Sequence, residues 1–397
     1  MIQIHQRFDG SQITNLVTAV VRQIKRQEMD QIIRTRGPRV AIGVGSRGID
    51  GIDIIVKAVI DHPKARGCQP FLVPAMGSHG GATPEGQLTV LEELGISQKT
   101  MGVPIDASME TVHLGTSVSG IPVHLAKAAW EADWILPINR IKPHTDFEGS
   151  IQSGLCKLLA IGLGKHTGCM AIHAYGTENF GGLLPELFEV FLGSGRVGFG
   201  LGIVENAYDK PLKIRAIAAQ HIPKEEVRLL MLAKERMASI MLREIDVLVV
   251  EEFGKNISGA GMDTNITGRT STGPKRDYHG PDIKRIVVSR LSEATHGNAC
   301  AISCADFITR CLFEQIDLEA TYTNSLSCYN PPGGKIPIIA RDEETAIAMA
   351  VSSIPGCTPA QARIVRIKNT IELGNIWISE SVLPQIQGNP LVSVCQG

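Results

Sequence analysis

The sequence has almost no net charge, few aromatic residues and no long hydrophobic run. Its 39 Lys and Arg residues nearly balance its 40 Asp and Glu residues, which leaves a formal net charge of −1. This balance provides no basic surface for nucleic acid and no attraction to an anionic membrane. No apolar stretch approaches the roughly 18 residues that span a bilayer, and residues 1–7 lack the apolar core of a signal peptide. We therefore expect a cytoplasmic protein with neither a nucleic-acid nor a membrane partner.

The cysteines and histidines form none of the usual metal or disulfide patterns. Nine cysteines are present, an odd number, and no two form a C-x-x-C pair. Several lie in apolar or helix-like surroundings, as do Cys300, Cys304 and Cys311, so we expect buried, reduced thiols. H-E-x-x-H and other paired ligand spacings are also missing, which argues against a zinc site.

Strand, glycine loop and helix alternate along the first part of the chain. Residues 39–48 are typical of a buried strand that runs into a glycine loop, and a helix follows at 52–60. A second strand at 70–74 leads into another glycine loop, and its helix begins at Pro84. This alternation is typical of a parallel sheet, in which the loops at the carboxyl ends of the strands gather ligands.

The second half of the chain restarts this pattern with a strand at 245–250. A length of 397 residues suits two domains. The sequence therefore predicts two α/β domains with mainly parallel sheets facing across an active-site cleft, placed at residues 1–240 and 241–397. Helices are predicted at 12–33 and 299–313 from their apolar spacing.

The first glycine loop fits two interpretations. Gly43, Gly45 and Gly48 match G-x-G-x-x-G between a strand and a helix, which favours a dinucleotide site. The second strand, however, ends without the acidic residue that would bind a ribose, and Arg47 inside the loop favours an anion such as a carboxylate. An NAD-dependent 2-hydroxyacid dehydrogenase and a loop for substrate or phosphate both stay open.

Chemistry-bearing side chains gather between residues 142 and 176. His144, Lys157 and His173 lie there among several glycines, with an apolar run at 158–161 between them. A surface loop needs no such apolar run, and a plain core helix would not tolerate so many glycines. We interpret the segment as the wall of a cofactor or substrate pocket.

A further histidine, His79, lies on the second glycine loop, at the same predicted sheet edge as Arg47. Imidazoles suit acid–base catalysis near neutral pH, and an arginine suits a bidentate grip on a carboxylate. Lys157 has apolar neighbours that favour a lowered pKa and covalent attachment.

These residues resemble the motifs of the nickel-pincer lactate racemase family. Its members are racemases and epimerases of 2-hydroxyacids. Arg47 falls where the family binds the substrate carboxylate, and His79 falls on the loop of a catalytic histidine. His144 and Lys157 match a second catalytic histidine and the lysine that holds the pincer nucleotide through a thioamide bond. The nickel-binding histidine of the family lies sixteen residues after that lysine, and 173 − 157 = 16 leads to His173.

The resemblance implies an isomerase that works by reversible hydride transfer. Arg47 would fix the carboxylate, and either His79 or His144 would remove the hydroxyl proton while the α-hydride passes to the pyridinium ring. The planar 2-keto acid could take the hydride back on either face, with the other histidine serving the opposite enantiomer. The implied cofactor is nickel pyridinium-3,5-bisthiocarboxylic acid mononucleotide, attached at Lys157 and made by upstream cofactor-biosynthesis enzymes. The resemblance also implies substrate contacts from Lys142 and cofactor contacts from a further set of residues: Gly45, Ser46, Ser153 and Gly154.

Two departures from the lactate enzyme bear on the substrate. The Asp-His-Thr-Arg-Pro loop of that enzyme is replaced by Val-Gly-Ser-Arg-Gly at residues 44–48. Polar side chains also crowd the histidine loop, namely Arg140, Lys142, Asp146 and Glu148. We therefore expect a 2-hydroxyacid that is larger or more polar than lactate. A non-catalytic relative that binds a sugar acid, as a sensor or carrier, stays open as an alternative.

Overall fold

The computed structural model describes residues 1–395 as alternating strands and helices. The strands are β1 (Ile2–Gln6), β2 (Arg39–Val44), β3 (Gln69–Pro74), β4 (Thr111–Thr116), β5 (Pro122–Ala126), β6 (Trp134–Arg140), β7 (Phe199–Glu205), β8 (Pro211–Ala218), β9 (Glu244–Phe253), β10 (Arg269–Thr270), β11 (Gly273–Pro274), β12 (Asp282–Leu291), β13 (Phe307–Thr309), β14 (Ile338–Ala340), β15 (Ile364–Ile367), β16 (Asn375–Ile378) and β17 (Val392–Val394). The α-helices are α1 (Leu16–Ile24), α2 (Gln27–Thr35), α3 (Ile52–Lys64), α4 (Pro84–Glu93), α5 (Gln98–Met101), α6 (Lys127–Trp130), α7 (Gly154–Lys157), α8 (Lys165–His173), α9 (Phe180–Gly193), α10 (Ile222–Arg236), α11 (Thr264–Thr267), α12 (Arg310–Glu314), α13 (Leu318–Ser327), α14 (Glu343–Ser352) and α15 (Leu383–Ile386).

The chain divides into two compact units. One unit consists of residues 10–237, and the other combines residues 1–9 with the chain from residue 238 onward. The first nine residues belong to the second of these because β1 pairs antiparallel with both β16 and β17. Each unit contains a mainly parallel sheet flanked by helices, so the predicted α/β class is confirmed.

The unit of residues 10–237 is built on a five-stranded sheet with the order β3-β2-β6-β7-β8. All neighbouring strands are parallel except β7 and β8. The chain runs from β2 to β3 on one side and later returns to β6 on the other, so the strand order reverses between β2 and β6. Open α/β sheets bind ligands outside the carboxyl ends of the strands at such a point. The loops after β2 and β6 carry Arg47 and His144, respectively.

The sheet of this unit is buried on both faces. Val40 and Ile42 of β2 pack into one apolar layer with residues of α1 and α3. Ala41, between them, faces the other layer, which contains residues of α7, α9 and α10. All three side chains are inaccessible to water, as the alternation of side chains along a strand requires. The loops at the carboxyl edge are therefore anchored on a rigid, close-packed frame.

The second unit contains an eight-stranded sheet with the order β14-β13-β12-β9-β15-β16-β1-β17. The predicted helix at 299–313 is wrong, because residues 307–309 form β13, which pairs in parallel with β12 and β14. Only the end of the predicted range, from Arg310, is α-helical. The apolar spacing there is too short to separate a buried strand from a buried helix, and long-range strand pairing decides the outcome.

The predicted helix at 12–33 is two helices, α1 and α2. The chain leaves the helical conformation at Arg26, where φ is −62° and ψ is 142°. Ile24 before the break and Met29 after it are both buried in the same apolar layer. Helical spacing of apolar residues is thus kept across the break, which is why the sequence did not reveal it.

The segment that carries Lys157 is a helix with a widened turn. α7 continues directly into a π-helical turn at Leu158–Gly162, and α8 follows after a bend of 107°. Widened turns of this kind are frequent at functional sites. Together the two bent pieces reach the length and apolar character of a membrane span, whereas no single helix among residues 1–395 does so.

Candidate active site

The loops after β2 and β3 place Arg47 and His79 at one edge of the sheet. Oγ of Ser46 lies 2.5 Å from Nδ1 of His79, so a hydrogen bond joins the two loops. The side-chain amide of Gln87, on α4, donates to the carbonyl of Gly77 at 2.9 Å and to that of His79 at 3.4 Å. Hydrogen bonds therefore fix both the imidazole ring and the backbone of His79.

Arg47 is accessible to water, yet protein atoms surround it closely. This partial desolvation, followed by the charge of Arg140, lowers its pKa, while Asp146 acts in the opposite direction. An arginine remains cationic under such shifts. Among residues 1–395, no carboxylate or carbonyl accepts a hydrogen bond from the Arg47 guanidinium. Its donors are therefore available for an anionic ligand.

His79 is held in the neutral form. Loss of water from its surroundings, together with the positive charges of Arg47 and Lys157, lowers the pKa of its imidazole to about 4. At neutral pH the ring has an unshared electron pair that can accept a proton. This property suits a general base.

His144 follows β6 and is fixed by its own loop. Its backbone N–H donates to Oε1 of Gln152 at 2.9 Å, and its Nδ1 accepts the backbone N–H of Asp146 at 3.1 Å. The neutral ring therefore carries its proton on Nε2. The ring stacks on Phe147 with a centroid separation of 4.1 Å, which fixes its plane.

Lys157 ends α7 and contacts the same aromatic ring. Its Nζ lies 5.2 Å from the centroid of Phe147. Burial, followed by the charge of Arg47, lowers the pKa of the lysine to about 8, although Asp146 and Cys169 oppose the shift. A substantial neutral fraction near neutral pH makes this amine a competent nucleophile.

His173 ends α8 and packs edge-on against Phe180 at a centroid distance of 5.0 Å. Its Nδ1 lies 2.7 Å from the carbonyl oxygen of Cys169, so Nδ1–H donates and the unshared electron pair is on Nε2. Burial lowers the pKa of His173, but hydrogen bonding to Cys169 outweighs burial and the net pKa is raised. The ring is thus oriented in the way that ligating histidines usually are.

Two phenylalanines connect these side chains. The ring centroids of Phe147 and Phe180 are 5.4 Å apart in an edge-on contact. Phe147 contacts His144 and Lys157, while Phe180 contacts His173. Three residues singled out in the sequence are thus brought onto one aromatic wall. No local signal pairs Phe147 with Phe180, because the contact joins a loop to the start of α9.

The other residues predicted to bind substrate or cofactor contact protein groups. The hydroxyl of Ser153 accepts the backbone N–H of Lys142 at 2.7 Å and donates to its carbonyl at 2.6 Å. Gly154, the first residue of α7, adopts a left-handed backbone with φ of +84°. Gly45 lies against Leu158, where an added Cβ would be 3.2 Å from Cδ1. These residues shape the loops that carry His144 and Lys157.

Two further observations concern the buried Lys165 and the grouping of possible metal ligands. Lys165 is fully buried and donates to the carbonyl of Pro74 at 2.8 Å and to Oε1 of Gln87 at 3.1 Å. Through Gln87 it supports the loop that carries His79. Within residues 1–395, no three His, Cys, Asp or Glu side chains are grouped closely enough to hold a metal ion.

The histidine loop approaches α9 through two glycines, and this contact gives a testable prediction. A Cβ on Gly181 would overlap the carbonyl of Glu148 and lie 2.9 Å from Cα of Gly149. We expect Gly181→Ala to lower the free energy of unfolding by about 2 kcal/mol or more, because backbone must move to admit the methyl group. Urea denaturation measures this change.

Gly182 is the matched control, since it lies on the same helix and a Cβ there would meet no atom within 4 Å. Gly182→Ala should leave stability unchanged or raise it by up to about 1 kcal/mol through the better helix propensity of alanine. Equal effects of the two substitutions would contradict the close approach as the cause.

A model of the lactate racemase N-terminal domain matches residues 10–180. The lactate racemase apoprotein from Thermoanaerobacterium thermosaccharolyticum has a similar structure, with a TM-score of 0.57 and 13% identity over 94% of this chain and 99% of that chain. A crystal structure of a protein from Thermotoga maritima gives a TM-score of 0.52 and 13% identity over 83% of this chain and 84% of that chain. A search of curated protein sequences found no significant match.

The structural likenesses establish the fold over nearly the whole chain, and the domain match covers the region that contains all five principal side chains. These are Arg47, His79, His144, Lys157 and His173. On these findings, residues 10–180 match a lactate racemase N-terminal domain, and the chain shares the fold of a lactate racemase over nearly its whole length, which together support the lactate racemase family.

Proposed function

We propose that this protein is a racemase or epimerase of a 2-hydroxyacid and uses a nickel-pincer nucleotide attached at Lys157. The observation that carries the proposal is the aromatic wall of Phe147 and Phe180, which brings His144, Lys157 and His173 together. Arg47 and His79 are near enough for charge to couple them to Lys157. The family match supports this class of isomerase.

The residues present fit such a cofactor. Lys157 is a nucleophile with a lowered pKa, and His173 directs an unshared pair on Nε2 away from its hydrogen bond to Cys169. Gly45 and Gly77 pack closely against the segment that follows Lys157, since an added Cβ would lie 3.2 Å from Cδ1 of Leu158 and 3.3 Å from the carbonyl oxygen of Ile161, respectively. His173 would supply a ligand to the nickel through Nε2. When bound, the group supplies a reversible acceptor for the hydride on the α-carbon.

The side chains of this chain would then divide the remaining work. Arg47 would bind the substrate carboxylate through two parallel hydrogen bonds and so fix the α-carbon. His79, which is neutral at physiological pH, would take the hydroxyl proton of one enantiomer. His144 would serve the other enantiomer, since an epimerisation needs a proton acceptor on each side.

Charge around the site favours a substrate that is more polar than lactate. Arg140 forms a short ion pair with the buried carboxylate of Glu205. The positive charge of Arg140 also contributes to lowering the pKa of Arg47. Asp146 is exposed beside the His144 ring. Additional hydroxyl or carboxylate groups on a 2-hydroxyacid would find partners among these side chains. The partners of the protein would then be this acid and the enzymes that make the cofactor.

The proposed activity is tested directly by whether the protein converts a single enantiomer of a 2-hydroxyacid into a mixture of stereoisomers. The protein is co-expressed with the cofactor-making enzymes and incubated with single enantiomers of a set of 2-hydroxyacids, and the products are separated by chiral chromatography. We expect one acid to become racemic or epimeric. Tight NADH binding without any tether, seen by fluorescence titration, would instead favour the dehydrogenase. Ligand binding without turnover would favour a sensor or carrier.

Arg47 gives a prediction about substrate affinity. Arg47→Ala should lower kcat/KM by about 100- to 1,000-fold, mostly through KM, because two charge-assisted hydrogen bonds to the carboxylate are lost. Arg47→Lys should recover only part of this, since an ammonium cannot bind both oxygens in the same geometry. Initial rates against substrate concentration measure the split between KM and kcat.

Arg34 is the control for this experiment. It lies in the same unit with 69% of its side chain exposed and pairs with Asp30. Arg34→Ala should leave both kinetic constants unchanged. An Arg47→Ala protein with the KM of the wild type would remove Arg47 from substrate binding.

A further inference from the structure

Glu226 is a buried carboxylate that does not touch the reacting groups. It lies on α10 and has a relative exposure of only 1%. Its Oε1 accepts the backbone N–H of Leu155 in a short hydrogen bond, and its Oε2 lies 3.2 Å from the backbone nitrogen of Cys156. The thiol of Cys156 also hydrogen-bonds to it. No cation pairs with this carboxylate among the hydrogen bonds that it makes.

These contacts satisfy the first turn of the helix that ends at Lys157. The first N–H groups of a helix have no partner within the helix, and when they are buried they need an acceptor. α7 has only four residues, so α10 supplies that acceptor from a distant part of the chain. The first residue of this turn is Gly154, and a Cβ there would overlap Oε1 of Glu226. Glycine and carboxylate are therefore matched to each other.

The contact between Glu226 and α7 lies next to Lys157 in the chain. Lys157 follows Cys156 directly, and the π-helical turn begins at the next residue, Leu158. The amine therefore lies between a turn fixed by Glu226 and a turn with weaker helical geometry. Lys157 shows no direct charge coupling to Glu226, whereas Arg47 and Asp146 both affect it. Any influence of Glu226 on the amine must pass through the backbone of α7.

We propose that Glu226 is a positioning residue, which fixes α7 so that the Lys157 amine stays desolvated and aimed for covalent attachment. Its relevance to catalysis rests on the proposed function, but its effect on the amine does not. Burial raises the pKa of Glu226 to about 7, which reflects how little water reaches this contact. A carboxylate kept in such surroundings is costly unless its hydrogen bonds are made.

The test measures Lys157 itself in the full-length protein without cofactor. Acetylation by acetic anhydride is followed by peptide mass spectrometry across a series of pH values, in the wild type and in Glu226→Gln and Glu226→Asp. In the wild type the labelling of Lys157 should rise with a midpoint near pH 8, the pKa of the amine. The glutamine side chain has nearly the volume of glutamate, but its NH₂ group faces a backbone N–H donor that it cannot accept. The aspartate side chain is shorter by one methylene group, so its oxygens no longer reach the N–H groups of α7.

We expect both variants to move this midpoint upward by about one pH unit, because water reaches the amine, which lowers its neutral fraction at pH 8 about five-fold. Glu225→Gln is the matched control, since Glu225 is adjacent but pairs with Arg215 and Arg228 and makes none of these contacts to α7. Lys127, which is half exposed and pairs with Glu110, serves as an internal control for labelling. Neither control should change.

Two results would overturn the proposal. One is an unchanged Lys157 profile in variants whose melting temperature has fallen, which would make Glu226 a structural residue only. The other is loss of folded protein in both variants, which would make the contact a requirement of the fold as a whole. A wild type that never carries the cofactor would refute the proposed function but would leave a shifted labelling profile as evidence for positioning.

Discussion

Replacing Lys157 with alanine is expected to abolish both the covalent mass increment of the cofactor and the interconversion of enantiomers. The Lys157 amine lies 5.2 Å from the centroid of Phe147 in the aromatic wall, and an alanine cannot form the thioamide bond. Removal of a nucleophile that acts as part of a unit costs on the order of 10⁴-fold or more in turnover. Intact-protein mass spectrometry and chiral chromatography, applied to the same co-expressed sample, measure the two losses together.

Lys127→Ala is the control for this substitution, because Lys127 lies in the same unit and forms only a surface ion pair with Glu110. It should keep the mass increment and the activity. Lys165 has a pKa lowered to about 8 but is completely buried, so we do not expect the tether to move to it. A Lys157→Ala protein that still carries the increment would place the attachment elsewhere and refute the assignment.

The second large effect concerns the two proposed bases. His79→Asn and His144→Asn should each lower the racemisation rate by about 100- to 10,000-fold, the usual contribution of a positioned acid or base. The informative measurement is a single turnover, quenched and analysed for 2-keto acid. Each variant should oxidise only the enantiomer that its remaining histidine serves, and the two variants should prefer opposite enantiomers.

The dependence of the oxidation rate on pH tests whether His79 acts as a base. The pKa of His79 is lowered to about 4, so the ring remains an available base throughout the neutral range and loses that role only when protonated below about pH 4. In the His144→Asn protein, oxidation should therefore stay constant down to about pH 5 and then fall. His5→Asn, a substitution in the other unit, is the control and should change neither rate. Equal loss for both enantiomers in each variant would contradict the two-base arrangement.

The sequence predicted the parts of the site that local patterns encode. Glycine loops after buried strands mark the carboxyl edge of a parallel sheet, and this pattern placed Arg47 and His79 near each other. The sixteen-residue separation of Lys157 and His173 was recognised through the family resemblance, whereas the π-helical turn and the bend of 107° between them were not predicted. The α/β class followed from the same alternation of strands, glycine loops and helices.

What the sequence did not predict depends on contacts between distant residues. Phe147 meets Phe180 only after α9 has packed, and Glu226 meets α7 only after α10 has packed. The break between α1 and α2 leaves the apolar spacing unchanged, and β13 becomes a strand because two partners lie beside it. Periodicity along the chain reports which face is buried but carries no information about which distant partner covers it.

The pairing of β1 has a consequence for biosynthesis. Translation produces β1 before the unit of residues 10–237, whereas its two partners, β16 and β17, follow that unit in the chain. The unit of residues 10–237 holds every strand of its own five-stranded sheet, so it can complete that sheet while translation continues. β1 therefore stays without these partners until translation has passed residue 375, and by then the histidines and the lysine of the candidate site have all been synthesised.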